Sequence, residues 1–357
     1  SLYDSKSGER GIYNGMSAQR NVERLNERYR DGDGNYIRRR DPKDDFGTNP
    51  CSEIILRSRE FCNLSECVIR REDSRESLKE KVRVATILGT FQSTLTEFKY
   101  LSREWKRNCD EERLLGVSLT GIMDNPITNG SRNGLDKLLE ELRDIAYETN
   151  KEWAEKLGIP TSAAITCVKP SGTVSQLVDS ASGIHARHNP FYIRTVRADN
   201  KDPLCNLMKE MGFPNEPDVT KPDHTTVFSF PMKSPKDAVF RMDMTALEQL
   251  ELWKTYATSW CEHKPSVTIS VKEDEWVDVA AWVYENFDSI SGISFLPFSE
   301  HVYRQAPYQD CTKEEYEEAL KTMPKNVDWA ELSKYESQDY TISSQELACT
   351  AGGCEVI

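Results

Sequence analysis

The chain has 357 residues, 38% hydrophobic and 29% charged, which suits a folded globular protein with one large domain or two ordinary ones. A net charge of −13 argues against a surface for nucleic acid or anionic membrane, but a local nest of backbone N–H groups can still bind a small phosphorylated substrate. No apolar run approaches a membrane span and no basic-then-apolar leader opens the sequence, so the expected compartment is cytoplasmic and the ten cysteines are expected to be mostly reduced thiols.

Residues 1–48 are polar, rich in Arg, Asp and Gly, with a turn at Asp31–Gly34. Asp73 and Glu76 form a capping-box pair ahead of Leu78, Val82 and Ala85 at helical spacing. Arg113–Gly121 reads as a buried strand. The clearest helix runs from about Leu135 to Leu157, with Leu135, Leu138, Leu139, Leu142, Ile145 and Ala146 on one face and Gly158 and Pro160 as its stop. Ala163–Val168 is a short apolar strand before the turn Lys169-Pro170-Ser171-Gly172-Thr173. Tyr192–Val196 and Thr226–Phe230 are strand candidates. Thr245 and Glu248 cap a helix reaching Trp260, Val267–Val271 alternates as a strand, Trp276–Phe287 reads as helix and Ile290–Leu296 as a buried strand. After about Tyr335 the chain turns polar and reads as a mobile tail ending near Cys354. Strands alternating with helices define an α/β class.

The chemistry concentrates in Asn49-Pro50-Cys51-Ser52-Glu53-Ile54, with Cys62 eleven residues after Cys51. An extended segment would put Asn49, Cys51 and Glu53 on one face. A thiol, a carboxylate acceptor and an amide donor together make a site for hydrogen abstraction and proton transfer. The plainer alternative is a loop with an incidental buried cysteine. Pro170-Ser171-Gly172-Thr173-Val174 lies between a strand and a helix, where Gly admits close backbone approach and N–H groups bind anions. His185 has no second ligand spaced to it, so no metal site is expected there, and a structural or site-lining role is favoured. Cys67, Cys109, Cys167, Cys205, Cys261 and Cys311 are expected to be structural.

Thr48-Asn49-Pro50-Cys51-Ser52-Glu53-Ile54, Cys62, the Lys169–Thr173 turn and the Cys349-x4-Cys354 pair, in that order, resemble the catalytic chains of ribonucleotide reductases. The resemblance covers most of this chain but only the C-terminal half of such an enzyme. It implies half of a ten-stranded α/β barrel over 1–335, a central finger loop at about 47–62, and a flexible redox tail over 336–357. It further implies that Cys51 carries the thiyl radical, that Glu53 takes the 3′-hydroxyl proton, and that Asn49 orients the substrate hydroxyl. Cys62 matches one of two cysteines that reduce the substrate and become a disulfide; Cys349 and Cys354 match the pair that re-reduces it, half a zinc site being the competing reading of that spacing. Pro170–Val174 matches the substrate phosphate loop.

No Tyr-Tyr dipeptide and no glycyl-radical segment occur; Ser291–Pro297 and Gln305–Tyr308 resemble the adenosylcobalamin-dependent class instead. The cofactor implied is adenosylcobalamin, with electrons from thioredoxin or a similar thiol system. The alternatives are a fragment of a class I large subunit and a non-catalytic assembly or regulatory fragment. No cysteine precedes Cys51, and the family's partner of Cys62 lies upstream, so the partner expected is the N-terminal half as a separate chain, with a ribonucleotide as substrate. Ser1 is read as a trimmed start, a split gene or an intein junction.

Overall fold

In the computed structural model, which describes residues 11–37, 39–298 and 304–336, β1 (Gly11–Tyr13) leads into α1 (Gly15–Asn26) and then a short ribbon, β2 (Gly47–Thr48) with β3 (Ile55–Leu56). β4 (Asn63–Val68), α2 (Arg75–Gln92), α3 (Arg103–Glu112), β5 (Leu115–Thr120), α4 (Leu135–Leu157) and β6 (Thr166–Cys167) follow, ending in a single turn, α5 (Val174–Leu177). Next come β7 (Phe191–Asp199), α6 (Pro203–Glu210), β8 (Asn215–Pro217) and β9 (Thr225–Lys233). The chain continues through α7 (Ala246–Ser259), β10 (Thr268–Val271), α8 (Trp276–Glu285), β11 (Gly292–Pro297), β12 (Tyr308–Asp310) and α9 (Lys313–Thr322).

These elements fall into two compact units. The larger takes in residues up to 186 and 236–298. Every residue of β5 is buried, the pattern of a strand covered on both faces. It pairs in parallel with β4 from Asn63↔Leu115 to Val68↔Thr120, and with β6 on its other side. β10 and β11 are also parallel, and β1 runs antiparallel along the outer edge of β11. A parallel bridge between Val168 and Pro265 joins the two sheets in the order β4-β5-β6-β10-β11-β1. Leu78, Val82, Leu138, Leu139 and Leu142 from α2 and α4 share one core with Val117 and Leu119, and Trp253, Tyr256 and Trp260 extend it. Each such side chain contributes roughly 1.5–3 kcal/mol on full burial.

The helix predicted over Leu135–Leu157 forms over those residues and stops at Gly158, whose φ of 67° suits glycine. The Thr245–Glu248 capping box is present on α7. The cap of α2 falls one residue later than expected. Ser74 accepts from Ser77 N and donates its own N–H to Ser77 Oγ, while Asp73 instead accepts from Arg70 N at 2.7 Å and Lys81 Nζ at 2.5 Å.

The smaller unit takes in 187–235 and the residues after 298. Its sheet is antiparallel, ordered β12-β7-β9-β8, with β7 and β9 paired from Phe191↔Lys233 to Asp199↔Thr225. Cys205, Phe213 and Phe228 form its core. Among the described residues no helix is long and apolar enough to cross a membrane.

Candidate active site

The segment holding Asn49, Cys51 and Glu53 closes the β2–β3 ribbon, in which Gly47 faces Leu56 and Thr48 faces Ile55. It is a tight turn, so the extended arrangement that would put Asn49, Cys51 and Glu53 on one face is not the one formed. A two-stranded ribbon must reverse here, and Asn followed by Pro is a turn-forming pair. Ser52 N donates to Asn49 O at 2.8 Å, and Ile54 N donates to Asn49 Oδ1 at 3.0 Å. The Asn49 amide oxygen therefore braces the turn. Ser52 has φ of 66°, a left-handed conformation that costs a non-glycine residue roughly 1–2 kcal/mol. Cys51 is half-buried on the turn, while Glu53 is wholly buried behind it.

Glu53 Oε1 meets Lys169 Nζ at 3.2 Å, whereas Oε2 is buried with no hydrogen-bond partner among the described residues. Burial works against the Lys169 charge, but Glu53 and then Cys51 outweigh it and hold the ammonium above its ordinary range. Lys169 thus lies in the field of both the carboxylate and the thiol. Cys62 stands just ahead of β4, packed with Leu56 against Leu114, Ala163 and Ala164. A Cβ at Gly116 would lie 3.3 Å from its Sγ and would overlap Leu64 Cδ2, so only glycine leaves the room this sulfur occupies. Burial, then Glu53, pushes the Cys62 thiol well up. Cys67, five positions on, belongs to the opposite face of the strand and sits in the main core.

A clasp absent from the sequence reading holds this turn from behind. His263 Nδ1 accepts from Ile55 N at 3.3 Å, Lys264 N donates to Glu53 O at 3.2 Å, Lys264 Nζ donates to Ser52 Oγ at 2.8 Å, and Ser266 Oγ donates to Cys51 O at 2.5 Å. The one signal for it was a repeated pattern: Lys264-Pro265-Ser266-Val267-Thr268 echoes Lys169-Pro170-Ser171-Gly172-Thr173. Both lysines meet the turn, one at the Glu53 side chain and one at its backbone. Glu66 on β4 was also missed. Burial raises its carboxyl, against the pull of Ser171 and Lys169, with Glu53 adding repulsion.

In the turn Pro170–Val174, Gly172 N donates to Pro170 O and Ser175 N to Ser171 O. Ser171 is buried, Gly172 half-buried, and Thr173 and Val174 exposed. The expected helix after it is the single turn α5, too short to carry a strong dipole, so any anion there depends on local N–H groups. His185 accepts from Thr268 N at 3.1 Å through Nε2 and meets Ser182 O at 3.1 Å through Nδ1, and burial holds it below its ordinary pKa. That is a neutral histidine joining two loops. Cys67, Cys109, Cys167, Cys205 and Cys261 are buried, Cys311 is half-buried, and all six are free thiols. Among the described residues no group of three His, Cys, Asp or Glu is placed to hold a metal. Cys349 and Cys354 lie outside the described residues.

A thiol on a braced turn, a buried carboxylate behind it and a parallel sheet around them define an α/β protein with the fold of the ribonucleotide reductases. The structure matches a crystal structure of a B12-dependent (class II) ribonucleotide reductase with a TM-score of 0.74 at 24% identity, covering 94% of this chain and 49% of that one. A class Id ribonucleotide reductase alpha subunit of Actinobacillus ureae matches at a TM-score of 0.52 and 14% identity, over 84% of this chain and 60% of that one. No protein-family model matches the chain.

By sequence the chain is a relative of the adenosylcobalamin-dependent ribonucleoside-triphosphate reductases. It is 31% identical to that of Euglena gracilis over 284 residues, 79% of this chain and 38% of the relative. It is 26% identical to that of Lactobacillus gasseri over 379 residues, 98% of this chain and 49% of the relative. A probable enzyme of the same name from Dictyostelium discoideum is 27% identical over 87% of this chain and 40% of its own length. The chain thus spans about half the length, or less, of the curated relatives it matches.

Proposed function

We propose that this chain is the C-terminal catalytic part of an adenosylcobalamin-dependent ribonucleotide reductase that converts ribonucleotides to 2′-deoxyribonucleotides for DNA synthesis. The five parallel strands in the order β4-β5-β6-β10-β11 suit half of a ten-stranded barrel, and the β2–β3 ribbon suits its central finger. In this reading residues 1–335 supply the barrel part and 336–357 the redox tail.

The observation that carries the proposal is the Glu53 carboxylate: wholly buried, one oxygen on Lys169, the other without a hydrogen-bond partner among the described residues, two residues from a half-buried thiol. A buried acceptor left open is costly unless a ligand fills it. A ribose 3′-hydroxyl fits that oxygen, and Glu53 takes its proton as general base. The half-buried Cys51 thiol is the group that would meet the cofactor, whose Co–C homolysis supplies the radical. With its hydrogen atom removed, the Cys51 sulfur abstracts the 3′-hydrogen, the 2′-hydroxyl takes a thiol proton and leaves as water, and Cys51 returns the hydrogen to C3′ at the end. Cys62 gives one of the two hydrogen equivalents that replace it, and its thiol, held neutral by burial, suits hydrogen delivery. In this reading the second equivalent comes from a cysteine of the N-terminal half, as the family resemblance implies, and Cys67 lies on the far face of β4. Lys169 keeps the Glu53 carboxylate in place, and the Pro170–Val174 turn binds the substrate phosphates through its N–H groups.

The test is Cys51→Ser in the enzyme completed with its N-terminal half and adenosylcobalamin. Deoxynucleotide formation should vanish while the melting temperature stays unchanged, because an O–H bond is too strong for hydrogen exchange with ribose. Product formation by this variant at the rate of the parent chain would refute the assignment.

A further inference from the structure

Lys264 is 2% exposed, and among the described residues its amine has a single hydrogen-bond partner, Ser52 Oγ at 2.8 Å. Its place is cut into the neighbouring strand. A Cβ at Gly292 on β11 would overlap the Lys264 Nζ and would lie 3.0 Å from Ser52 Oγ. Ser52 is the turn residue held at φ of 66°, and it directly follows Cys51. The Cys51 carbonyl is fixed on the same side by Ser266 Oγ. Rotation of the Ser52 backbone out of the left-handed region would swing the Cys51 side chain, so whatever grips Ser52 also aims the thiol.

We propose that Lys264 is a positioning residue for Cys51: lodged in the space Gly292 leaves open, its amine holds Ser52 and so fixes where the neighbouring thiol points. The charged groups facing it do not replace this contact. Glu53 presents its carboxylate to Lys169, and Cys261 is a buried thiol. Burial lowers the Lys264 amine to about 7, with Glu53 and Cys261 working the other way, and both its protonated and neutral forms donate to a hydroxyl oxygen. The chemical use of the aimed thiol rests on the proposed reduction, whereas the aiming itself does not.

The experiment is iodoacetamide labelling of the reduced full chain at about pH 9, above the ordinary thiol range, with the rate at each cysteine read by peptide mass spectrometry. Lys264→Met keeps the length and apolar stem and removes the donor. Ser52→Ala removes the acceptor from the other end and serves alone if the buried substitution prevents folding. Each should raise the Cys51 rate about fivefold, the change in an opening equilibrium from one lost hydrogen bond, and leave Cys62 unchanged. The double variant should be no faster than the singles, because both remove the same contact. In the completed reductase, kcat should fall in both variants with the nucleotide KM unchanged. A Cys51 labelling rate that stays level or drops, or two effects that add, would overturn the proposal. If the parent enzyme lacks reductase activity, the proposed function fails while the labelling rates still decide the role of Lys264.

Discussion

His263 joins the β2–β3 ribbon to the sheet through both ring nitrogens. Nδ1 accepts from Ile55 N, so the proton sits on Nε2 and is donated to Leu115 O at 2.9 Å. Burial, then the charge of Arg40, lowers its pKa to about 3. An unfolded histidine takes up a proton near 6.5, so acidification favours the unfolded chain. Stability should be intact above about pH 6.5 and fall by up to about 1.4 kcal/mol per unit as the pH drops toward 3. Lys264 adds no slope over most of this range. With a folded pKa of about 7 against an ordinary 10.5, it loses its contribution as the pH falls from about 10.5 to 7. Urea midpoints at pH 7, 6 and 5 should decline in the parent chain and decline less in His263→Gln. Asn49, Cys51 and Glu53 could be grouped from residue type and spacing, whereas Cys62 stood out only through the family resemblance. The partners of Lys264 and His263, Ser52 and Ile55, lie 212 and 208 residues away, and the one local hint was the echo of Lys169–Thr173 in Lys264–Thr268.

β6 and the segment 262–266 act as one element, because Val168, which follows β6, is bridged to Pro265. Glu262 anchors that segment. Its carboxylate meets Arg39 at 2.7 and 3.2 Å and accepts from Ile165 N at 2.7 Å, and both charged side chains are at most 5% exposed. Removing one partner of such a pair leaves a buried charge and costs about 3–5 kcal/mol. Glu262→Gln should lower the denaturant midpoint accordingly, with the slope of the transition unchanged; a loss under about 1 kcal/mol would mean Arg39 finds another acceptor. At this scale periodicity served well where it was long. α4 spans the predicted residues because its apolar face repeats over six turns, and α7 begins at its predicted capping box. Residue spacing left open whether Asn49–Glu53 is extended or looped, and Asn-Pro is the turn signal that agrees with the structure. The antiparallel sheet of β12, β7, β9 and β8 left no boundary in composition, and only its individual strands were visible.

For the whole molecule the proposal demands material from elsewhere. In this reading Cys62 works with a second thiol; Cys67 is on the opposite face of β4, and Cys167, on the same face as Cys62, is wholly buried. Among the described residues β4 and β1 end the joined sheet with one neighbour each, and open sheet edges call for a partner. The chain alone, given adenosylcobalamin and dithiothreitol, should show no ribonucleotide reduction and should gain it on addition of an N-terminal half; sustained turnover without that half would defeat the split reading. In the completed enzyme, Cys349→Ser with Cys354→Ser should stop repeated turnover with thioredoxin and spare a single turnover from pre-reduced enzyme. Unchanged steady-state turnover would remove the two residues from the electron path.

The distance along the chain between the Asn49–Glu53 turn and its clasp also has a meaning in time. Ser52 waits for Lys264 across 212 residues and the Cys51 carbonyl for Ser266 across 215. At ribosomal rates of roughly 5–20 residues per second, that interval lasts roughly 10–40 s. Throughout it the turn lacks the side chains that grip it from behind in the folded protein. Cys51 is made early and its turn is braced late, so the aim of this sulfur is among the last features the growing chain can settle.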